Sequence, residues 1–262
     1  MMKKRGQVSI FAIVGVIIVA LIILFLFVRN KVYIGGASLE NLEKEFPQIQ
    51  SHVENCLQEV GNKFIPLIGK QGGYLAANLG TFRQYKGENI NYLCYNIQGK
   101  AECSNRGLRL IDISSSLEKS MIQDLNRCLD INQFSKFGLD VSRSEVSLKV
   151  DIGEDKVILK ANLPVKISKG EIEARRDSFS TELNYPLGRL YNSVKEIVDS
   201  EALNGNLDTL TYSVLKTRTT GKPYIAQKLQ PYPDKLYILK IKDIPSKDNE
   251  FIFQFFIQDE PL

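Results

Sequence analysis

The sequence predicts an α+β protein, in which an N-terminal transmembrane helix continues into an extracytoplasmic domain of antiparallel strands with about three helices. Three observations predict this class. A long apolar run lies near the N-terminus, apolar residues recur at steps of three and four in three later segments, and from Glu145 the apolar period changes to two. Steps of three and four are typical of helices packed on a core, whereas a period of two is typical of strands.

The apolar run extends from Ile10 to Val28 and contains no charged residue. Its residues, at about 1.5 Å each, span roughly 29 Å, which matches the ~30 Å hydrocarbon core of a bilayer. A cleavable secretory signal is the alternative, but its apolar region is shorter and ends at a small-residue site. We therefore expect a basic cytoplasmic segment at residues 1–7, a transmembrane helix at 8–28 and a connector at 29–38.

The basic residues around the run predict its orientation. Lys3, Lys4, Arg5 and the α-amino group precede it, whereas Arg29 and Lys31 follow it. Loops that stay in the cytoplasm carry the excess of lysine and arginine. The N-terminus is therefore expected in the cytoplasm, with a single extracytoplasmic domain over residues 39–262.

The charge of the chain is concentrated at the membrane flanks. The first 31 residues hold five of the 34 Lys and Arg residues and none of the 30 Asp and Glu residues, so charges nearly balance in the remainder. No long basic run or basic patch interleaved with aromatic residues indicates a nucleic-acid surface. Nucleic acid is excluded as a partner, and we expect the lipid bilayer together with other cell-surface proteins or further copies of the chain.

All four cysteines follow the apolar run. An even number outside the cytoplasm is typical of disulfides, and four cysteines permit three connectivities. The preferred pairing joins Cys94 to Cys103 across a short turn, and Cys56 to Cys128 between two helices. Free thiols and a zinc site are the alternatives. Zinc is disfavoured because the chain has no C-x-x-C pair and a single histidine, His52.

The first predicted helix carries apolar residues from Leu39 to Phe64 at steps of mostly three or four. Pro47 starts or kinks its main body. The pair Gly72 and Gly73 predicts a tight turn after it, because glycine tolerates positive φ.

Two further helices follow from capping and breaking signals. Ser115 to Glu118 matches a capping box and predicts a helix at about residues 116–131. Pro186 opens the third helix and Gly205 stops it.

Strand patterns occupy the rest of the domain. Residues 91–97 predict a short strand, and residues 145–183 predict an antiparallel meander. The chain after Gly205 is expected to return to strands. It closes with a hairpin formed by the segments LYILKIKD and EFIFQFFIQD.

No residue constellation indicates catalysis. His52 is the only histidine, so arrangements of Ser-His-Asp or Cys-His type depend on one residue in a predicted helix. No phosphate-binding loop, calcium loop or zinc-protease motif is present. We expect no catalytic residue, no cofactor and no metal.

Aromatic residues are concentrated in the C-terminal third. They predict either the core of a sheet or an exposed face that recognises sugars or a partner protein. The chain contains no tryptophan, which disfavours a sugar platform. The residues are Tyr212, Tyr224, Tyr232, Tyr237, Phe251, Phe253, Phe255 and Phe256.

The segment Lys4-Arg5-Gly6-Gln7-Val8-Ser9 resembles the class III signal of archaeal type IV pilin-like proteins. In that family a prepilin peptidase cuts just before the glutamine, so the resemblance implies a processing junction between Gly6 and Gln7. The apolar helix then stays on the mature protein. The family usually has a glutamate where this chain has Phe11, so the resemblance implies anchoring more firmly than assembly into a filament.

The chain also resembles a family of archaeal single-span membrane proteins without an assigned function. The likeness rests on the K/R-G-Q start, on Glu54-Asn55-Cys56 and on the turn from Gln71 to Tyr74. This second resemblance implies no activity.

These observations favour a membrane-anchored, non-enzymatic cell-surface protein that contributes to envelope structure, adhesion or pilin-like assembly. The first alternative is an anchored receptor or solute-binding module, which predicts a concave site lined by the C-terminal aromatic residues. The second alternative is an anchored hydrolase, which predicts clustered polar side chains with perturbed pKa values.

Overall fold

The computed structural model describes residues 15, 17–24, 43–75, 81–96, 103–135, 139–242 and 251–258. Its class is α+β, as predicted. From residue 43 onward, the described helices are α1 (Phe46–Lys70), α2 (Leu110–Cys128), α3 (Leu187–Asn204) and α4 (Thr209–Thr220), with a short 3-10 turn at Asn132–Phe134. The strands are β1 (Phe82–Tyr85), β2 (Glu88–Asn96), β3 (Cys103–Asn105), β4 (Asp140–Arg143), β5 (Ser147–Ile152), β6 (Val157–Lys169), β7 (Ile172–Leu183), β8 (Tyr224–Leu229), β9 (Lys235–Ile241) and β10 (Ile252–Ile257).

The predicted anchor at residues 8–28 lies mostly outside the described residues. The described part of it, residues 15 and 17–24, is helical and exposed. In the described portions of the chain, no helix has both the length and the apolar character needed to cross a membrane. The connector at 29–38 and the junction at Gly6 and Gln7 also lie outside those portions.

The strands form two sheets. The six-stranded sheet has the order β1-β2-β10-β9-β8, and β3 also pairs with β2. The predicted closing hairpin is confirmed, because β9 and β10 pair in antiparallel fashion. However, β10 pairs with β2 in parallel, so the expectation of antiparallel strands was wrong at this position. The two strands are far apart in sequence, and no local pattern encodes their relative direction.

The four-stranded sheet contains the predicted meander. β6 pairs with both β5 and β7 in antiparallel fashion, and β4 pairs with the second half of β6. Inward residues of β6 alternate with exposed ones along most of the strand, as a period of two requires.

α1 begins at Phe46, with Pro47 in its first turn, and buries the apolar stripe that its period predicts. The turn after it is confirmed, because Gly72 and Gly73 have φ values of 73° and 89°. Two amides bind the carbonyls at the end of this helix. Asn91 Nδ2 donates to Gln71 O at 2.7 Å, and Gln254 Nε2 donates to Lys70 O at 2.9 Å.

α2 starts earlier than predicted. Its first turn is closed by Asp112, which accepts the backbone N–H of Arg109 at 3.3 Å and binds its guanidinium at 2.9 Å. The expected capping box at Ser115 was therefore wrong. Glu118 accepts the N–H of Val150 in β5 at 2.9 Å, because it lies inside the helix and faces the sheet.

α3 runs from Leu187 to Asn204 and ends at Gly205, as predicted. α4 was not predicted, since this stretch was expected to contain strands. One large core joins the two sheets with α1, α2 and α3. α4 supplies no fully buried residue to it.

Candidate functional site

The four cysteines form two disulfides. Cys56 is joined to Cys128 with a Cα–Cα distance of 5.7 Å, and Cys94 is joined to Cys103 at 5.3 Å. These are the two pairs preferred from the sequence. The first bridge ties α1 to the last residue of α2, and the second ties β2 to β3. All four thiols are consumed, which leaves none for the free-thiol or zinc alternatives.

His52 contacts two side chains of the 3-10 turn at Asn132–Phe134. Its Nε2 lies 3.3 Å from Gln133 Nε2, and its ring packs edge-on against Phe134 at a centroid distance of 5.5 Å. Within the described segments, no group of three or more His, Cys, Asp or Glu side chains is arranged to hold a metal ion.

Most of the C-terminal aromatic residues belong to the core. The buried ones are Tyr224, Tyr237, Phe251, Phe253, Phe255 and Phe256. Tyr212, a residue of α4, is partly buried, and Tyr232 is 80 % exposed. The set does not form one exposed face, so the aromatic-lined site expected for a receptor is not assembled from these eight residues.

Tyr232 lies on a loop whose backbone is held by Arg83. The guanidinium donates to the carbonyls of Pro231 at 2.9 Å and Tyr232 at 3.2 Å, and to Asp234 Oδ2 at 2.7 Å. The buried hydroxyl of Tyr92 donates to the same carboxylate oxygen at 2.6 Å. The loop therefore presents an exposed aromatic ring on a backbone that is fixed at several points.

The most unusual polar arrangement is the contact between α4 and β8. β8 is the last strand of its sheet, so one edge of its backbone faces away from β9. On that edge, the N–H of Ala226 donates to Ser213 Oγ at 2.9 Å and the N–H of Tyr224 donates to Thr217 Oγ1 at 3.0 Å. Two hydroxyls of a helix thus occupy the places of strand carbonyls.

The spacing of the two elements explains this match. Four residues of a helix rise about 6 Å, and two residues of a strand advance about 6.6 Å. Ser213 and Thr217 are therefore separated by nearly the same distance as Ala226 and Tyr224. Ser213 Oγ donates its own proton to the Thr209 carbonyl at 2.7 Å, which leaves its lone pairs for the amide.

A carboxylate of α3, that of Glu196, binds two side chains of α4. Glu196 accepts hydrogen bonds from Tyr212 Oη at 2.6 Å and Lys216 Nζ at 2.8 Å. Burial raises the pKa of Glu196, but the hydrogen bonds from Lys216 and Tyr212 outweigh it, so this pKa lies below its ordinary value. Burial, followed by the hydrogen bond to Glu196, raises the pKa of Tyr212 well above its ordinary range.

A tyrosine hydroxyl of β8 is buried near α3. Tyr224 is buried, and its Oη is, among the described residues, the buried side-chain polar atom that lacks a hydrogen-bond partner. Burial raises the pKa of Tyr224, whereas the side chain of Ser193 in α3 lowers it.

The outer face of α4 carries three exposed apolar residues beside exposed Thr211, Arg218 and Thr219. Leu210, Val214 and Leu215 are 75 %, 45 % and 54 % exposed, while the hydroxyls of Ser213 and Thr217 face the sheet. The helix therefore has no clearly apolar inner face. The contact with β8 consists of these hydrogen bonds and of the edge-on contact between the rings of Tyr212 and Tyr224.

The sequence contains a boundary signal at each end of α4, from which this helix could have been predicted. Asp208 caps the helix by accepting the N–H groups of Leu210 at 3.0 Å and Thr211 at 3.3 Å, and Gly221 ends it in a left-handed conformation with φ of 68°. An aspartate before the segment and a glycine after it are typical helix boundaries.

Comparison of the chain with protein-family models, curated proteins and solved structures finds no match.

Proposed function

We propose that the chain is a membrane-anchored, non-enzymatic cell-surface protein whose outer domain serves envelope structure, adhesion or pilin-like assembly. The two disulfides carry this proposal. Disulfides persist in oxidising compartments and are rare in the cytoplasm. Both bridges follow the apolar run, on the side that the flanking basic residues assign to the exterior.

The bridge between Cys56 and Cys128 also supports an exposed domain for an energetic reason. It closes a loop with a sequence separation of 72 residues. In the chain-entropy view, closing a loop of this length stabilises the fold by roughly 4 kcal/mol. Such a bridge favours a fold that must persist outside the cell, away from the chaperones of the cytoplasm.

Two leucines and a tyrosine are strongly exposed. Leu203 and Leu210 are 79 % and 75 % exposed, and Tyr232 is 80 % exposed on its fixed loop. Single exposed apolar residues are normal on protein surfaces, so these residues do not choose between the candidate functions. The buried state of most C-terminal aromatic residues does not support the receptor alternative.

The membrane topology tests this proposal. An epitope is placed after Leu262 of the full chain, and a cytoplasmic protein of the same cells serves as the control. On intact cells we expect an external protease to remove the C-terminal epitope and to leave the cytoplasmic control intact. The proposal fails if the C-terminal epitope is degraded only after the membrane has been permeabilised.

The proposed pilin-like processing has its own test. If a prepilin peptidase acts at the junction of Gly6 and Gln7, the membrane-extracted protein begins with Gln7. An intact Met1 would contradict processing but would leave the proposed anchor and topology unaffected.

A further inference from the structure

We infer that the bridge of Cys56 and Cys128 is a site of thiol exchange, at which a small thiol becomes attached to Cys128 and Cys56 is released beside His52. A thiolate attacks Cys128 Sγ and forms a new S–S bond with it. The Sγ–Sγ bond of the bridge breaks, and its electron pair leaves on Cys56 Sγ. The incoming sulfur is thereby oxidised and Cys56 is reduced. The exchange goes beyond the proposed function and requires neither the anchor nor its orientation.

The two cysteines of the bridge differ in burial. Cys56 is 1 % exposed and belongs to the buried stripe of α1. Cys128 is the last residue of α2 and is only partly buried. Access is one of the factors that decide which sulfur of a disulfide is attacked. The bridge leads from the core towards the surface, so an incoming thiol meets Cys128 before Cys56.

The two sulfurs also have different polar neighbours. His52 Nε2 lies 3.9 Å from Cys56 Sγ, whereas Glu59 Oε2 lies 4.0 Å from Cys128 Sγ. An imidazole stabilises a neighbouring thiolate when it is protonated, and it accepts the S–H hydrogen when it is neutral. A carboxylate disfavours negative charge on the sulfur beside it. Cys56 is therefore the better leaving group, which favours the same direction of attack as the burial does.

His52 is held in place by residues that follow α2. Its ring packs edge-on against Phe134 at a centroid distance of 5.5 Å. Gln133 Nε2 lies 3.3 Å from His52 Nε2 and donates to the carbonyl of Asp130 at 2.9 Å. These contacts do not involve the sulfur atoms, so they can keep the ring beside Cys56 after the bridge has opened.

The bridge of Cys94 and Cys103 provides a comparison within the same molecule. It also joins a fully buried cysteine, Cys94, to a partly buried one, Cys103. It has no imidazole beside it, because His52 is the only histidine of the chain and lies at the other bridge. The two bridges are thus alike in burial and differ in the neighbouring group.

Trapping of the mixed disulfide tests which sulfur is attacked. The full chain, solubilised in detergent, is incubated briefly with reduced glutathione and quenched with excess N-ethylmaleimide. Peptide mass spectrometry then locates both labels. We expect glutathione on Cys128 and maleimide on Cys56. Glutathione on Cys56, equal amounts on the two cysteines, or no adduct at this bridge would overturn the inference.

Two variants test the neighbouring groups through the rate at which glutathione opens the bridge. His52→Phe keeps a ring against Phe134 but removes the nitrogen beside Cys56, so we expect opening to be about threefold slower or more. Glu59→Gln removes the negative charge beside Cys128. We expect it to make opening about twofold to fivefold faster at low ionic strength.

The bridge of Cys94 and Cys103 is the control in each variant, and its rate of opening should stay unchanged. A variant that loosens the whole fold accelerates both bridges, so the ratio of the two rates separates a local effect from a loss of stability. We expect this ratio, the Cys56–Cys128 rate over the Cys94–Cys103 rate, to fall in His52→Phe and to rise in Glu59→Gln. A ratio that fails to change in the expected direction in either variant would overturn the inference.

Discussion

Lys235 and Glu201 form an ion pair in the interior, with Nζ and Oε2 3.1 Å apart and side chains only 6 % and 1 % exposed. Lys235 also donates to the carbonyl of Gly205 at 2.6 Å, and Tyr237 donates to the same carboxylate. The pair fastens the end of α3 to the start of β9. Its hydrogen bonds offset the large desolvation cost of placing two charges in the core.

Lys235→Met should therefore destabilise the protein strongly, because it leaves the Glu201 carboxylate buried without its cation. We expect a loss of about 3–5 kcal/mol in the free energy of unfolding, measured by urea titration without reductant. Lys156→Met is the control, since Lys156 and Glu182 are 50 % and 55 % exposed. That change should cost less than about 1 kcal/mol. Similar losses in both variants would contradict the structural role of the buried pair.

Gly72→Ala should destabilise the protein more than Gly170→Ala. Both glycines have positive φ, at 73° and 65°, so alanine is strained by about 1–2 kcal/mol at either position. A Cβ on Gly72 would also lie 3.3 Å from the carbonyl oxygens of Asn91 and Gln254, whereas Gly170 faces open space. Thermal unfolding of the two variants measures the difference. Equal melting temperatures would contradict the close packing of this turn between β2 and β10.

Removal of the Cys56–Cys128 bridge should lower the free energy of unfolding more than removal of the Cys94–Cys103 bridge. The bridge of Cys56 and Cys128 closes a much longer loop than that of Cys94 and Cys103, with sequence separations of 72 and 9 residues. Paired Cys→Ser variants should lose roughly 4 kcal/mol for the long loop and about 3 kcal/mol for the short one. Urea titrations of the double variants measure both losses. A smaller loss for the long loop would contradict the chain-entropy explanation.

Asp155 makes part of the stability dependent on pH. Its carboxylate accepts from Arg189 at 2.9 and 2.8 Å, and Lys222 Nζ lies 3.0 Å away. The hydrogen bond from Arg189, supported by Lys222, holds the pKa of Asp155 below its ordinary value in the folded state. Its stabilisation is therefore complete above about pH 4, where the unfolded form is also ionised, and disappears as the pH falls through the lowered pKa.

Asp155→Asn should be less stable than the wild type near neutral pH, and the difference should shrink as the pH falls below about 4. Urea titrations of both proteins at a series of pH values measure this. A difference that stays constant over the acidic range would show that the ionised carboxylate does not contribute.

Elements with an apolar inner face were predictable from the sequence. α1 and α3 display the helical period, and β5 to β7 display the strand period, because each buries one side against the core. α4 lacks this signal because its inner face carries Ser213 and Thr217 and its outer face carries leucines. A polar contact with a strand edge leaves no apolar period, and the threonine, tyrosine and valine content of the segment favours strands locally.

The disulfides were predictable for a similar reason. Cys56 and Cys128 each lie on the apolar stripe of a helix, and the sequence between Cys94 and Cys103 predicts a short turn. The parallel pairing of β2 and β10 was not predictable, since the two strands are separated by most of the domain. The position of β8 at the end of its sheet depends on the strand order, which only the folded structure reveals.

The redox state of the cysteines tests the proposed location most directly. The full chain is extracted from membranes, alkylated under denaturing conditions without reductant, and weighed by mass spectrometry. We expect no alkylation before reduction and alkylation of all four cysteines after it, with the unreduced protein lighter by two hydrogens for each disulfide. Alkylation of all four cysteines before reduction would contradict an outer, oxidised domain and the function proposed for it.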